Sequence, residues 1–176
     1  IDLDAWHKCG TKLTLNDMTG RGCYLGIDLS SGGDLTSIAL VFPLDNCLAY
    51  IWSHSFMPKY RLAEHERTDD APYRQWVIDG HIETTDGEGT YGIKTDYHHV
   101  IEYLRELKKS QKLTFLGCGY DNHNAATFLA DLGDVVECDL TEVRQSARSL
   151  NDPTVDFQLS VKAGTVQYYE DDQLLT

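Results

Sequence analysis

Two aspartates end apolar runs in the same local layout. Gly26-Ile27-Asp28-Leu29-Ser30 leads into a polar turn, and Gly119-Tyr120-Asp121-Asn122-His123 does the same far along the chain. A carboxylate within an apolar strand needs a compensating partner, because burying a lone charge is costly. A divalent cation is one such partner, since carboxylate oxygens are hard ligands for Mg²⁺ or Mn²⁺. Taken singly, Asp28 reads equally well as a cap on a strand end or turn, and Asp121 reads as a helix N-cap. Taken together they favour a shared site. If the two strands are neighbours in one sheet, their carboxylates converge at one edge and repel unless a cation lies between them. A carboxylate cluster holding one or two such ions activates water and stabilises the leaving oxygen of a phosphodiester, with no Ser or Cys nucleophile required.

Other polar residues gather near these two. Asp34 follows Asp28 on the same turn, and Ser30, Ser31, Gly32 and Gly33 offer backbone N–H groups to a phosphate. His123 stands two residues after Asp121, as a phosphate or water contact or as a plain surface residue. His98 and His99 read as surface or part-buried positions on a helix. Arg105, Lys108, Lys109 and Lys112 cluster in one stretch, and Arg144 and Arg148 in another expected to be a loop. These cations are candidates for a DNA-facing edge; the alternative is a solvated face.

The charge balance opposes that edge. The 176 residues carry 28 Asp plus Glu against 15 Lys plus Arg, for a formal net charge of −13. Such a surface repels phosphate backbones overall. Hydrophobic residues at 41% suffice for a sizeable core, and the length suits one domain. No apolar run is long enough for a membrane helix, and the first residues have no signal-peptide character. The absence of an initiator Met suggests a fragment, a processed chain or disordered leading residues. The cysteines, Cys9, Cys23, Cys47, Cys118 and Cys138, are odd in number and contain no CxxC pair. They read as reduced, mostly buried thiols of a cytoplasmic protein rather than a zinc site or a disulfide framework.

The elements that must position the aspartates follow from pattern. Residues 1–21 read as a lead-in in which Trp6 docks onto something. Three strands follow, at 23–29, 36–42 and 47–56, joined by short turns that favour an antiparallel meander. Short helices are expected within 58–70 and from 71 to Gly80, an extended piece at 81–85 and a glycine-bearing loop at 86–89. Tyr97, Val100, Ile101, Leu104 and Leu107 form an apolar stripe that predicts a helix over 96–110, capped by Asp96. The run 113–120 reads as a strand buried on both faces. A helix over 122–132 with Gly133 as its stop, a strand at 134–138, a weak helix ending at Gly164 and a strand at 165–169 complete the series. The acidic stretch 170–172 is expected to be exposed.

In this order the motifs resemble the C-terminal nuclease domain of tailed-phage large terminase subunits. The residues that carry the resemblance are Gly26-Ile27-Asp28-Leu29-Ser30 with Asp34-Leu35-Thr36, then Phe56-Met57-Pro58, then Tyr73, Trp76 and Gly80, then Gly119-Tyr120-Asp121 with Ala125. The lead-in with Trp6 and Cys9 resembles the linker that follows that family's motor domain. The resemblance implies an α/β, ribonuclease-H-like mixed sheet, in which an antiparallel three-strand meander joins parallel strands flanked by helices. It implies a lead-in over 1–21 and a nuclease domain over 22–176, truncated at its C-terminus. Asp28 and Asp121 become catalytic metal ligands for Mg²⁺ or Mn²⁺, with two ions expected. The reaction becomes endonucleolytic cleavage of double-stranded DNA in the cytoplasm of an infected or prophage-bearing bacterium. The implied partners are DNA, the terminase ATPase domain, the small terminase subunit and the portal, with no membrane.

The phosphate loop of the family's ATPase motor does not occur here. The family also places a third metal-binding Asp after the strand matched by 166–169; Asp171 and Asp172 lie nearby but off that pattern. Two other readings remain. One is a non-catalytic docking module of the packaging machine. The other is a fragment of an actin-like or sugar-kinase-type phosphotransferase, whose first hairpin also carries an Asp and a Gly/Ser turn.

Overall fold

The strands β2 (Gly22–Asp28), β3 (Thr36–Pro43) and β4 (Ala49–Pro58) form the expected antiparallel meander, with Asp28 opposite Ser37 and Ser37 opposite Ser55. The computed structural model describes residues 1–30, 34–86, 95–121 and 126–176. Burial along β3 alternates: Ile38, Leu40 and Phe42 are buried while Ser37, Ala39 and Val41 are only partly so. Period-two burial of this kind means that each face of the sheet meets a different environment.

Five further strands complete an eight-stranded mixed sheet. They are β1 (Gly10–Thr11), β5 (Ile82–Thr85), β6 (Thr114–Tyr120), β7 (Leu140–Glu142) and β8 (Val166–Tyr169). The order is β1-β8-β4-β3-β2-β6-β7, with β5 paired to β4 beside that path. β2, β6 and β7 run parallel to one another, as do β4, β8 and β1. The α/β mixed sheet expected from the sequence is therefore the observed architecture.

Helices cover the two faces unequally. α4 (Tyr97–Ser110) and α5 (Ala126–Val136) lie over one face and bury Val100, Ile101, Leu104, Phe128 and Leu132 against Leu25, Leu40 and Phe42. Asp96 caps α4, accepting from the His98 and His99 backbone N–H groups at 2.9 and 3.3 Å. α1 (Leu3–His7) and α6 (Ala147–Ala163) pack on the opposite face, at the β8 end, where Trp6 stacks on Tyr168 with centroids 4.4 Å apart. Gly164 ends α6 at φ +68°, the left-handed cap that glycine adopts without strain. α2 (Leu62–Asp69) and α3 (Tyr73–Ile78) lie between β4 and β5 in the chain. The second face over β2 and β6 is left open: Tyr24 and Leu116 are each about half exposed there.

Several expectations are corrected. β6 is not buried on both faces, because α1 and α6 reach only the β8 end; Phe115 and Cys118 are buried while Leu116 is not. Gly133 does not stop α5. Phe128, Leu132, Val135 and Val136 keep one helical stripe buried through it, so 134–136 are helix and the strand comes later, at β7. Arg148 lies on α6 rather than in a loop. Asp172 is buried rather than exposed: its carboxylate accepts from the Leu174 and Leu175 backbone N–H groups at 3.0 and 3.3 Å. Ser31, Gly32, Gly33, Gly87, Glu88, Gly89, Asn122, His123 and Ala125, for which the sequence raised expectations, lie outside the described residues.

Candidate active site

Asp28 ends β2 and Asp121 follows β6, the strand paired parallel to it. The last paired positions are Ile27 and Tyr120, so the two aspartates occupy the next step on each strand. Neighbouring strands lie ~4.8 Å apart, so one sheet edge presents both residues. The carboxyl ends of parallel strands are where open α/β sheets hold their ligands.

The two aspartates have different environments. Asp28 is exposed at the rim, whereas Asp121 is almost fully buried at 1% exposure. Asp121 Oδ1 accepts from the Leu29 backbone N–H at 2.9 Å, so the residue after Asp28 grips the second carboxylate. Both aspartates line one cleft of about 480 Å³ on the open face of the sheet. Small residues, Gly26, Ser37, Ala39, Ser53, Ser55 and Gly119, make up much of its lining, and Leu35, Val143, Gln145 and Leu174 are among the others. A Cβ at Gly26 would meet only the Ala39 carbonyl, at 4.0 Å, so that space belongs to the cleft.

The hairpin after Asp28 is tied on its first leg. The Ser30 N–H donates to Thr36 Oγ1 at 3.1 Å, and the Tyr97 hydroxyl donates to the Ser30 carbonyl at 2.5 Å. The second bond brings the start of α4 to the sheet edge that carries Asp28. Asp34 is exposed and stands 3.8 Å from His65 Nε2 on α2. Asp172 lines a different cavity, with His54, His81 and Tyr50, while Asp171 is exposed.

The basic candidates separate. Because α4 starts beside Ser30, at the sheet edge that carries Asp28, its C-terminal cations lie at the other end of a helix roughly 20 Å long. Arg105, Lys108, Lys109 and Lys112 line their own cavity there with Asp134. Arg105 pairs with Glu102, and Lys108 pairs with Glu137 and donates to the Val135 carbonyl. Carboxylates thus offset much of that patch. Arg144 lies between two cleft-lining residues, Val143 and Gln145, while Arg148 is exposed on α6.

A family model for the terminase large subunit endonuclease domain matches residues 1–176. The chain belongs to that family. The domain is 29% identical over 157 residues to the terminase large subunit of Enterobacteria phage HK97, covering 89% of this chain and 29% of that protein. It is 25% identical over 175 residues to protein YmfN of Escherichia coli strain K12, covering 93% and 36%. The crystal structure of the HK97 bacteriophage large terminase superposes with a TM-score of 0.80 at 25% identity, over 99% of this chain and 34% of that one. The terminase domain thus spans about a third of the length of these relatives. Its sheet is of the ribonuclease-H-like type. No helix among the described residues is long and apolar enough to cross a membrane.

The donor set of the terminase domain suits a hard divalent cation. Mg²⁺ takes one or two carboxylates and completes its shell with water and phosphate oxygens, and two aspartate side chains line this cleft. Among the described residues, no group of three or more His, Cys, Asp or Glu side chains is arranged to hold a metal ion. Sequence reading missed the rest of the cleft lining, Val143, Gln145 and Leu174, which no motif marks. It also missed His65, whose only signal is Asp69 one helical turn on.

Proposed function

We propose that this terminase domain is a divalent-metal-dependent endonuclease that hydrolyses phosphodiesters of double-stranded DNA. One observation carries the reading: Asp28 and Asp121 leave adjacent parallel strands at their carboxyl ends and line one open cleft. Asp28 and Asp121 would hold Mg²⁺ or Mn²⁺, up to two ions, which when bound supply an activated water and offset charge on the phosphate. The remaining work falls to the chain itself. The Leu29 N–H orients the buried Asp121 side chain. The glycine, alanine and serine residues lining the cleft let a nucleic-acid backbone approach the sheet closely.

The partners are proposals of the same kind: duplex DNA, the terminase ATPase domain, the small subunit and the portal, acting in the bacterial cytoplasm. With a net charge of −13, the domain is expected to depend on the rest of the packaging machine to hold its substrate. The test is plasmid nicking with Mn²⁺ or Mg²⁺. Wild type should nick, and Asp28→Asn and Asp121→Asn should each lower the rate at least ~100-fold, the scale of losing a charge-stabilising group. Metal-dependent nicking that survives Asp121→Asn would overturn the reading. A wild type that neither cleaves nor gives a heat signal with Mn²⁺ would favour a docking module.

A further inference from the structure

His65 is the centre of a network that joins α2 to the cleft. It is buried on α2, with 9% of its surface exposed. Its Nδ1 lies 3.0 Å from Asp69 Oδ2, one helical turn on. Asp69 also accepts from the Tyr73 hydroxyl at 2.9 Å and from Thr68 Oγ1 at 2.8 Å. Together these partners, His65 foremost, hold the Asp69 carboxyl below the usual range, so it stays an anionic anchor. A carboxylate on one ring nitrogen fixes the imidazole's orientation and directs what the other nitrogen meets. Here the other nitrogen, Nε2, faces Asp34 Oδ1 at 3.8 Å.

Asp34 has no burial to hold it, since its side chain is 81% exposed. Yet it directly precedes Leu35, which lines the cleft, and Thr36, whose hydroxyl receives the Ser30 N–H. The first leg of this hairpin is tied to α4 through Tyr97 and Ser30. The approach of His65 Nε2 to Asp34, at 3.8 Å, sets the second leg beside α2.

We propose that His65 is a positioning residue for the cleft. Anchored by Asp69, it latches α2 to Asp34 and so sets where Leu35 stands relative to Asp28. The register of β2 against β3 places Asp28 itself. The latch therefore acts on substrate fit more than on the chemical step. This inference rests on the nuclease reading, so its test has one arm that does not need activity.

The variants are His65→Ala, Asp34→Asn and the double, each in the full chain. The first arm is amide hydrogen exchange. Exchange at residues 34–36 should rise about two- to fivefold in each single variant, the scale of losing one weak surface contact, and no further in the double. The second arm is duplex cleavage, in which KM should rise by a similar factor while kcat stays within about twofold. Unchanged exchange at 34–36 in both single variants overturns the latch, whatever the cleavage result. Additive effects in the double variant overturn it too, since they would mean that the two residues act separately. If His65→Ala loosens the β3 core at 38–42 as well, Asp34→Asn decides, because its exposed side chain is not part of that core. A wild type without cleavage refutes the nuclease reading, and the exchange arm still decides the latch.

Discussion

The Leu29 backbone N–H donates to Asp121 Oδ1 at 2.9 Å, joining the two strand ends that carry Asp28 and Asp121. This bond separates charge from structure at one residue. Asp121→Asn keeps an oxygen acceptor for Leu29 and should leave the urea midpoint nearly unchanged while nicking is lost. Asp121→Ala removes the acceptor and strands a buried N–H, which costs about 1–3 kcal/mol. Urea unfolding of both variants beside their nicking rates checks the separation.

Trp6 should behave as core rather than as part of a dispensable lead. Its ring stacks on Tyr168, and its indole N–H reaches the Leu175 carbonyl. Trp6→Ala is expected to cost about 3–5 kcal/mol, the range for truncating a large buried aromatic. Chemical denaturation measures it, and a loss below ~1 kcal/mol would show that residues 1–9 are peripheral.

Stability should fall on mild acidification, with His54 contributing. Burial pushes its imidazole below the usual value, and nearby His81 pushes the same way, while Glu83 and Asp172 oppose. The folded state therefore resists a proton that the unfolded chain accepts. The contribution of His54 is complete above the unfolded value, about 6.5, and is lost as pH falls from there through the depressed folded value. His54→Gln should flatten the slope of unfolding free energy between about pH 6.5 and 5. An unchanged slope would assign the pH dependence to other groups.

Duplex affinity of the isolated domain should be weak. With 28 acidic against 15 basic residues, and with Arg105 and Lys108 already paired, few cations remain for phosphates. Dissociation constants of about 10⁻⁴–10⁻⁶ M at physiological salt are expected, weakening further as salt rises. Fluorescence anisotropy with a labelled duplex tests this; binding tighter than micromolar would point to a basic surface that the charge pattern conceals.

Thiol reactivity should follow burial. Cys9, Cys23 and Cys118 are buried, Cys138 is half-buried and Cys47 is exposed, all of them free. Burial, with a contribution from Cys138, pushes the Cys23 and Cys118 thiols to about 12, leaving almost no thiolate at neutral pH. A disulfide reagent should titrate Cys47 rapidly, Cys138 more slowly, and Cys9, Cys23 and Cys118 only as the chain unfolds. Mass spectrometry of the labelled protein identifies the site.

What the sequence made legible were features written in local pattern. The meander from β2 to β4 followed from its turns, α4 from its apolar stripe and Asp96 cap, and the pairing of Asp28 with Asp121 from two strands with one layout. What it hid depended on tertiary context. Gly133 looked like a helix stop, yet the burial of Val135 and Val136 outweighs the modest cost of one helical glycine. Leu113 to Tyr120 looked doubly buried because Gly117 and Gly119 carry no polarity; nothing local told that α6 packs at the β8 end of that face. The surroundings of Asp172 were unreadable because they include His81, which comes within 3.6 Å of its carboxylate from far along the chain. His65 was hidden because α2 is mostly polar, and its role emerges only once the hairpin folds beside it.

The parallel pairing of β1 with β8 has a mechanical consequence. The first strand and the last are hydrogen-bonded neighbours, Gly10 beside Tyr168 and Thr11 beside Tyr169. Pulling one end of a parallel pair against the other loads its bonds in shear, all at once, rather than peeling them apart singly. Tension entering before β1 and leaving after β8 would meet the Tyr168-to-Cys9 and Glu170-to-Thr11 bonds together, with the Trp6–Tyr168 stack beside them. A force applied along these two strands would thus be borne at the β1–β8 edge of the sheet, with β4 and β3 between it and the strands that carry Asp28 and Asp121.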